Sequence, residues 1–481
     1  MLCPVRILAS TMRIATALGS LLVFSSALAD ERPNIVLIMA DDVSWEAFGC
    51  YGAGDYQTPH LDELAAQGVR MTHCYSTPIC TTSRVQIMTG KYNFRNYTHF
   101  GYLNPAEKTF AHLLKDAGYK TAIAGKWQLN GLTNKLPGYD SADRPYDAGF
   151  DEYMLWQLRY GKQLSTGGGE RFWSPPLEHN GRLVTRDENA GKYGPDLLCD
   201  FLCDFADRSG DQPFFLYYPM VLVHNPFVPT PDTIGDRSRS HDTNKQKKGK
   251  AIAKENFVAM VQYMDKIVGR IVQHLEQTGE LDNTLVLFTA DNGTNTAITS
   301  RWNGREIRGG KAGMKDMGTH VPLIAFWKGR TLRGAELGEL VDFTDFYPTL
   351  ADAAGVTLDA SDPSDGRSFL PHIQGKPGVT RKMVFCHYEP YWNKAPGQFV
   401  RTQDYKMYRD GRFYMVPVDL DEKQNLAESS DLTEVQRAVR GELSTAIGAA
   451  PPAPVGKGNK DTKLRPLYPG WSLPPLLNDG R

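Results

Sequence analysis

The stretch Asn34-Ile35-Val36-Leu37-Ile38-Met39-Ala40, running straight into Asp41-Asp42, decides how the rest of the chain is read. An uninterrupted apolar run of this length suits a strand buried on both faces, as in a parallel sheet. Two carboxylates at its carboxyl end then lie where an open α/β sheet gathers ligands. The form recurs along the chain. Pro213 to Val223 is apolar and aromatic and ends at His224, and Thr284 to Ala290 ends at Asp291-Asn292-Gly293. Tyr119 to Gly125 ends at Lys126, and Val321 to Trp327 follows Lys311 after a short loop. Leu61 to Gly68, Thr109 to Gly118 and Asn256 to Gln277 have helical spacing between them. This alternation predicts an α/β fold with a large, mostly parallel sheet flanked by helices. One Asp-Asp pair after a strand is as readily a turn or a cap. Polar residues at four strand ends predict a shared site.

The chain has 481 residues, enough for one large or two ordinary domains. Its formal net charge of −1 provides no field for nucleic acid or an anionic membrane, so neither is expected as a partner. Arg6 and Arg13, the apolar run Ile14 to Phe24 and Ala27-Leu28-Ala29 fit a signal peptide over residues 1–29. The run is too short to span a membrane and no cysteine follows it, so no membrane anchor is expected. The expected mature protein is exported, periplasmic or secreted. Residues 30–375 are assigned to the main α/β domain. Short strands at Met383 to Tyr388, Phe399 to Met407 and Arg412 to Val416 assign 376–450 to a small C-terminal antiparallel subdomain. Residues 451–481, rich in Pro and Gly, form an arm. The Lys-rich run Pro231 to Lys254 is expected to be a solvated loop. Cys50, Cys74, Cys199, Cys203 and Cys386 lack metal-site spacing and are read as mostly buried thiols.

Pro78-Ile79-Cys80-Thr81-Thr82-Ser83-Arg84 places Cys80 just ahead of a segment with helical spacing, Arg84 one turn on. A cysteine there meets the positive end of a helix dipole. Equally, Thr82 or Ser83 caps the helix and Cys80 packs in the core. Asp41, Asp42, Asp291 and Asn292 offer hard oxygen ligands, suited to Ca²⁺ or Mg²⁺ and not to Zn²⁺. Arg84, Lys126 and Lys311 are cations able to neutralise an oxyanion, and His224 is a candidate general acid.

Cys80-Thr81-Thr82-Ser83-Arg84 resembles the Cys-x-Pro-Ser-Arg signature of the type I sulfatases, within the alkaline phosphatase superfamily. Arg32-Pro33-Asn34-Ile35 with Asp41-Asp42, Gly125-Lys126-Trp127-Gln128-Leu129, Ala290-Asp291-Asn292-Gly293 and Gly310-Lys311 through Val321-Pro322 are similar to further motifs of that family in the same order. The resemblance implies a sulfatase that hydrolyses a sulfate ester of a carbohydrate or aryl alcohol. It implies that a formylglycine-generating enzyme oxidises Cys80 to formylglycine, whose hydrate attacks sulfur and later expels sulfate. It also implies a divalent metal, Ca²⁺ ahead of Mg²⁺, on Asp41, Asp42, Asp291, Asn292 and residue 80. His224 or Lys311 then protonates the leaving alcohol, and Arg84, Lys126 and Gln128 complete the catalytic set.

Three departures stand out. Thr82 replaces Pro, Gln128 replaces the usual His, and Asp316, Met317 and His320 replace the usual Glu, Gly and Arg after Lys311. A neutral amide orients a hydroxyl but takes no proton from it. Two alternatives follow: a phosphodiesterase or phosphonate hydrolase of the same superfamily, or a catalytically silent binder of sulfated glycans.

Overall fold

The computed structural model describes residues 1, 32–160, 170–235, 250–359, 362, 364–390, 396–452 and 467–468. The signal peptide, most of the polar run before Lys250, Tyr391-Trp392 and most of the C-terminal arm lie outside the described residues. Among the described residues no helix is long and apolar enough to cross a membrane.

Asn34–Ala40 forms β1, buried along its whole length. It lies mid-sheet, parallel on one side to β7 (Phe214–Pro219) and on the other to β8 (Thr284–Ala290). The remaining strands of this sheet are β2 (Val69–Tyr75), β3 (Lys120–Lys126), β4 (Glu152–Trp156), β5 (Leu177–His179), β6 (Arg182–Val184), β11 (His320–Phe326) and β12 (Ala335–Asp342). Their order is β12-β2-β11-β8-β1-β7-β3-β4-β5-β6. The run from β8 to β4 is parallel throughout, whereas β11 runs antiparallel to both β8 and β2. Burial on both faces explains why these strands carry unbroken apolar runs instead of alternation.

Two groups of helices pack on the sheet. Pro59–Gln67, Gly194–Asp207 and Lys250–Gln277 form one group; Cys80–Thr89, Phe110–Asp116 and Phe346–Ala353 form the other. The long helix begins at Lys250, six residues before the sequence-based expectation. Ala251, Ala253 and Lys254 are good helix formers, so the polar run yields to helix there. A two-stranded hairpin, β9 (Thr299–Trp302) and β10 (Arg305–Arg308), precedes Lys311. The small antiparallel sheet is β13 (Val384–Tyr388), β14 (Gly397–Arg401), β15 (Tyr405–Tyr408) and β16 (Phe413–Met415), with helix Glu434–Gly448 packed on it. The expected strand Phe399 to Met407 is thus two strands. Thr402 turns the chain, its backbone N–H donating to Tyr405 O at 2.9 Å and its Oγ1 accepting from Tyr405 N at 3.1 Å.

Gly125, inside β3, is a point where backbone freedom is required. Its φ is +128°, and a Cβ there would sit 2.0 Å from the Pro219 carbonyl oxygen of β7. Gly125→Ala is therefore expected to cost about 2–4 kcal/mol and to displace Lys126. Denaturant unfolding measures this, and a cost below about 0.5 kcal/mol would contradict it.

Candidate active site

Strand register assembles the carboxylates. Ala40 of β1 pairs with Ala290 of β8, so Asp41-Asp42 and Asp291-Asn292 leave the sheet side by side. The Asp42 N–H donates to Asp291 Oδ1 at 3.0 Å, and Asn292 Nδ2 donates to Asp42 Oδ1 at 3.0 Å. Asp42 adopts a left-handed backbone, φ 62°, which a short polar side chain tolerates better than most.

Cations meet these acids from two directions. Lys126, at the end of β3, lies 2.7 Å from Asp41 Oδ2, and Lys311 lies 2.5 Å from Asp42 Oδ2. His224, beyond β7, brings Nε2 to 3.6 Å from Asp42 Oδ2 and holds Nδ1 2.6 Å from the Asn225 carbonyl. That carbonyl assigns the ring hydrogen to Nδ1 and leaves Nε2 as a bare acceptor in the neutral ring. Oδ1 of Asp41 and Oδ1 of Asn292 are both buried without a hydrogen-bond partner. Asp41, Asp42 and His224 can each turn a ligand atom within 4.8 Å of the others.

The electrostatics follow from this crowding. Burial works against the charge of Asp41, but Lys126, His224, Lys311 and Arg171 outweigh it and hold the carboxyl below its usual range. Burial and the Asp41 and Asp42 charges push Asp291 well above that range. Burial opposes the charge on Lys126 and on Lys311. Asp41 overcomes it at the first and Asp42 at the second, so both ammonium groups are raised. His224 is pushed down to about 3 by burial, which the Asp42 carboxylate only partly offsets. It is therefore neutral at pH 7.

Cys80 opens helix Cys80–Thr89, and Ile79 occupies the cap position. Neither Thr82 nor Ser83 caps this helix. Thr82 Oγ1 donates instead to Ile79 O at 2.9 Å, and Ser83 Oγ donates to Thr77 O at 3.0 Å. Cys80 packs with Ile79, Cys386, Tyr388, Phe399, Tyr408 and Tyr414, mostly residues of the small sheet. Burial raises its thiol despite Lys126 and Lys311 nearby, so position at a helix start does not prevail. Arg84 points its guanidinium at the carbonyls of Lys126 and Trp127, bracing the end of β3. Gln128 has a left-handed backbone, φ 51°, and its Nε2 donates to Gln157 Oε1 at 2.7 Å.

The sequence reading missed Arg171. It is buried, its Cζ lies 4.0 Å from the centre of the Trp156 ring, and its charge acts on Asp41, Asp42, Cys80 and His224. It arrives from a loop with no strand-end position, so no periodic signal marks it. Gln157, the partner of Gln128, was also missed; it directly follows β4, a short strand whose Glu152 and Met154 are only half-buried, so no unbroken apolar run points to it.

A sequence profile of the sulfatase family matches residues 33–356. The chain belongs to the sulfatase family. It is accordingly a sulfuric ester hydrolase. Human arylsulfatase A is 32% identical over 424 residues, covering 81% of this chain and 77% of that protein. Steryl-sulfatase of Rattus norvegicus is 28% identical over 455 residues, covering 78% and 76%. The structure solved with D-glucosamine-2-N,6-O-disulfate as its substrate superposes with a TM-score of 0.70 at 22% identity, over 86% of this chain and 97% of that one. At that identity the likeness is one of fold. The same holds for the phosphonate monoester hydrolase of Agrobacterium radiobacter, with a TM-score of 0.64 at 19% identity, over 87% of this chain and 96% of that one.

In this sulfatase the residues that depart after Lys311 turn to other partners. Asp316 Oδ1 pairs with Arg401 Nη1 at 2.5 Å. The His320 ring stacks on Trp45 at 4.3 Å, with Nε2 2.8 Å from Thr72 O. Burial pushes His320 from its ordinary 6.5 down to about 3, although Asp316 pulls it up. Because the folded pKa is depressed, the unfolded chain takes up a proton below about pH 6.5 that the folded chain refuses until about pH 3. Stability therefore falls as pH falls through that window. His320→Gln should show a shallower loss of thermal midpoint between about pH 6.5 and pH 4 than the parent. Parallel curves would count against the buried neutral imidazole.

Proposed function

We propose that this sulfatase is an exported enzyme that removes sulfate from a carbohydrate, using formylglycine at position 80. The observation that carries this reading is the paired strand ends: Asp41-Asp42 beside Asp291-Asn292, bonded to Lys126 and Lys311, with Cys80 in the field of both lysines. The carbohydrate substrate is supported by similarity to an N-acetylglucosamine-6-O-sulfatase of Bacteroides thetaiotaomicron, 25% identical over 512 residues and covering 85% of each chain. Export is supported by the N-terminal sequence pattern alone.

A divalent cation fits the donors present. Asp41, Asp42, Asp291 and Asn292 offer oxygen, two of those oxygens are buried without partners, and Asp291 is pushed toward protonation by burial and by the Asp41 and Asp42 charges. Such a set suits Ca²⁺, with Mg²⁺ as the alternative. Bound there, the cation would supply Lewis-acid polarisation of a sulfate oxygen and of a hydroxyl at residue 80.

The chain's own groups divide the remaining work. Lys126 and Lys311 stabilise negative charge on the sulfate oxygens. Arg84 fixes Lys126 by holding its carbonyl. Lys311 is the proton donor to the leaving alcohol, because it carries a proton at neutral pH whereas His224 does not. His224 Nε2 then accepts a hydrogen bond. Gln128, tied to Gln157, orients a hydroxyl without taking its proton. Formylglycine supplies the nucleophilic hydroxyl and the second hydroxyl that releases sulfate. Because Cys80 is only 4% exposed, the modifying enzyme must reach it before the fold closes.

Three measurements test this reading. Mass spectrometry of the Cys80 peptide from native-host protein should find the aldehyde in place of the thiol, and an intact thiol would favour a silent glycan binder. Lys311→Ala should lower kcat for an aryl sulfate by about 10²- to 10⁴-fold, while aryl phosphate turnover stays negligible in both forms. Faster cleavage of the phosphate would move the proposed roles to a phosphodiesterase. Ca²⁺ at about one hundred times its Kd should stabilise the fold by about 2.7 kcal/mol, an effect lost in Asp41→Asn. A melting point indifferent to both Ca²⁺ and Mg²⁺ would remove the metal site.

A further inference from the structure

We propose that a cavity beside the hairpin tip is a second ligand site, taking one sugar ring that carries an anionic substituent. The cavity has a volume of about 370 Å³ and lies between the β9–β10 hairpin, β2 and the small sheet. That volume is at the lower end of small-molecule sites, enough for a single ring.

Its walls suit a sugar. Trp302 lines it, half-buried, with its indole N–H donating to Tyr51 O at 2.6 Å and its ring edge-on to Trp45 at 6.0 Å. A fixed aromatic ring with part of its surface free presents a flat apolar face to the C–H side of a pyranose at little entropic cost. The exposed amides of Asn303 and Gln403 stand at the rim, where they can hydrogen-bond to hydroxyls.

Its charge suits an anion. Among the lining residues Arg70 is paired with Glu336 and Arg401 with Asp316, so these charges cancel. Arg305, exposed at the hairpin tip, makes no ion pair among the described residues, and Asp421, the carboxylate its charge acts on, is already paired with Lys423 at 2.7 Å. A carboxylate or sulfate on the bound ring would be its partner.

The site is separate from the carboxylate centre but tied to it through the chain. Trp45 follows Asp42 by three residues, and β10 ends three residues before Lys311. The inference rests on the cavity and not on the proposed reaction, because its readout is binding.

The test titrates the full chain with D-glucuronate and with neutral methyl glucoside, followed by calorimetry and tryptophan fluorescence. Saturable binding of glucuronate, with a fluorescence change and weaker binding of the glucoside, is the expected result. Arg305→Glu should weaken glucuronate binding by about tenfold or more. Arg308→Glu, on the same hairpin but not lining the cavity, should leave it unchanged. No saturable binding, equal binding of the two sugars, or equal losses in the two variants would overturn the proposal. Aryl sulfate turnover should be the same in Arg305→Glu as in the parent, and a parallel loss would overturn the separateness of the pocket.

Discussion

Asp41, Asp42 and Asp291 are buried side by side, and most of the architecture around them follows from making that arrangement tolerable. Three like charges in a water-poor interior would each be driven to neutrality. The register Ala40 opposite Ala290 forces the crowding, since both strands are committed by their apolar runs. Compensation then comes from elsewhere in the sheet. Lys126 can reach Asp41 because β3 lies one strand beyond β7, with Ile123 paired to Tyr217 and Met39 to Pro219. Lys311 reaches Asp42 from the loop that links the hairpin to β11.

The small sheet contributes more than a cover. Tyr388, Phe399, Tyr408 and Tyr414 give Cys80 an apolar wall, while Arg401 crosses to Asp316 in the loop after Lys311. One unit thus sets the dielectric around Cys80 and anchors the segment that follows Lys311. That wall explains why burial wins over two nearby ammonium groups at Cys80. A thiol held protonated in this way is a poor nucleophile, which accords with the proposed role of Cys80 as a precursor.

The sheet's central strands were legible because burial on both faces leaves an unbroken apolar run, and their polar ends were legible as a set. What escaped notice has a physical cause in each case. β12, Ala335–Asp342, alternates half-buried and exposed positions over its first five residues and contains Gly338, so it lacks the signature of its neighbours. The turn at Thr402 falls in the polar run Arg401-Thr402-Gln403-Asp404, a turn signal carried by Thr and Asp without a Gly or Pro to sharpen it. Arg171 acts on the site from irregular backbone, where spacing carries no information, and Gln157 follows β4, whose short, partly exposed run gives only a weak strand signal. Asp316 and His320 were visible as departures, yet only the structure shows their partners to be Arg401, Thr72 and Trp45.

The charge balance of the centre links these observations to its chemistry. Three carboxylates face Lys126, Lys311 and Arg171, and burial together with the Asp41 and Asp42 charges pushes Asp291 toward protonation. A divalent cation held by that set would leave an excess of positive charge enclosed by protein, where it would be screened far less than at the surface. An ester carrying a single negative charge would be drawn in. The excess would act still more strongly on the charge that develops as the ester bond breaks, and differential stabilisation of that kind is what accelerates a reaction. His224 fits the same logic. A cation nearby would further disfavour its protonation, which accords with the proposed division of roles: an acceptor at His224 and a proton donor at Lys311, which the carboxylates themselves keep charged.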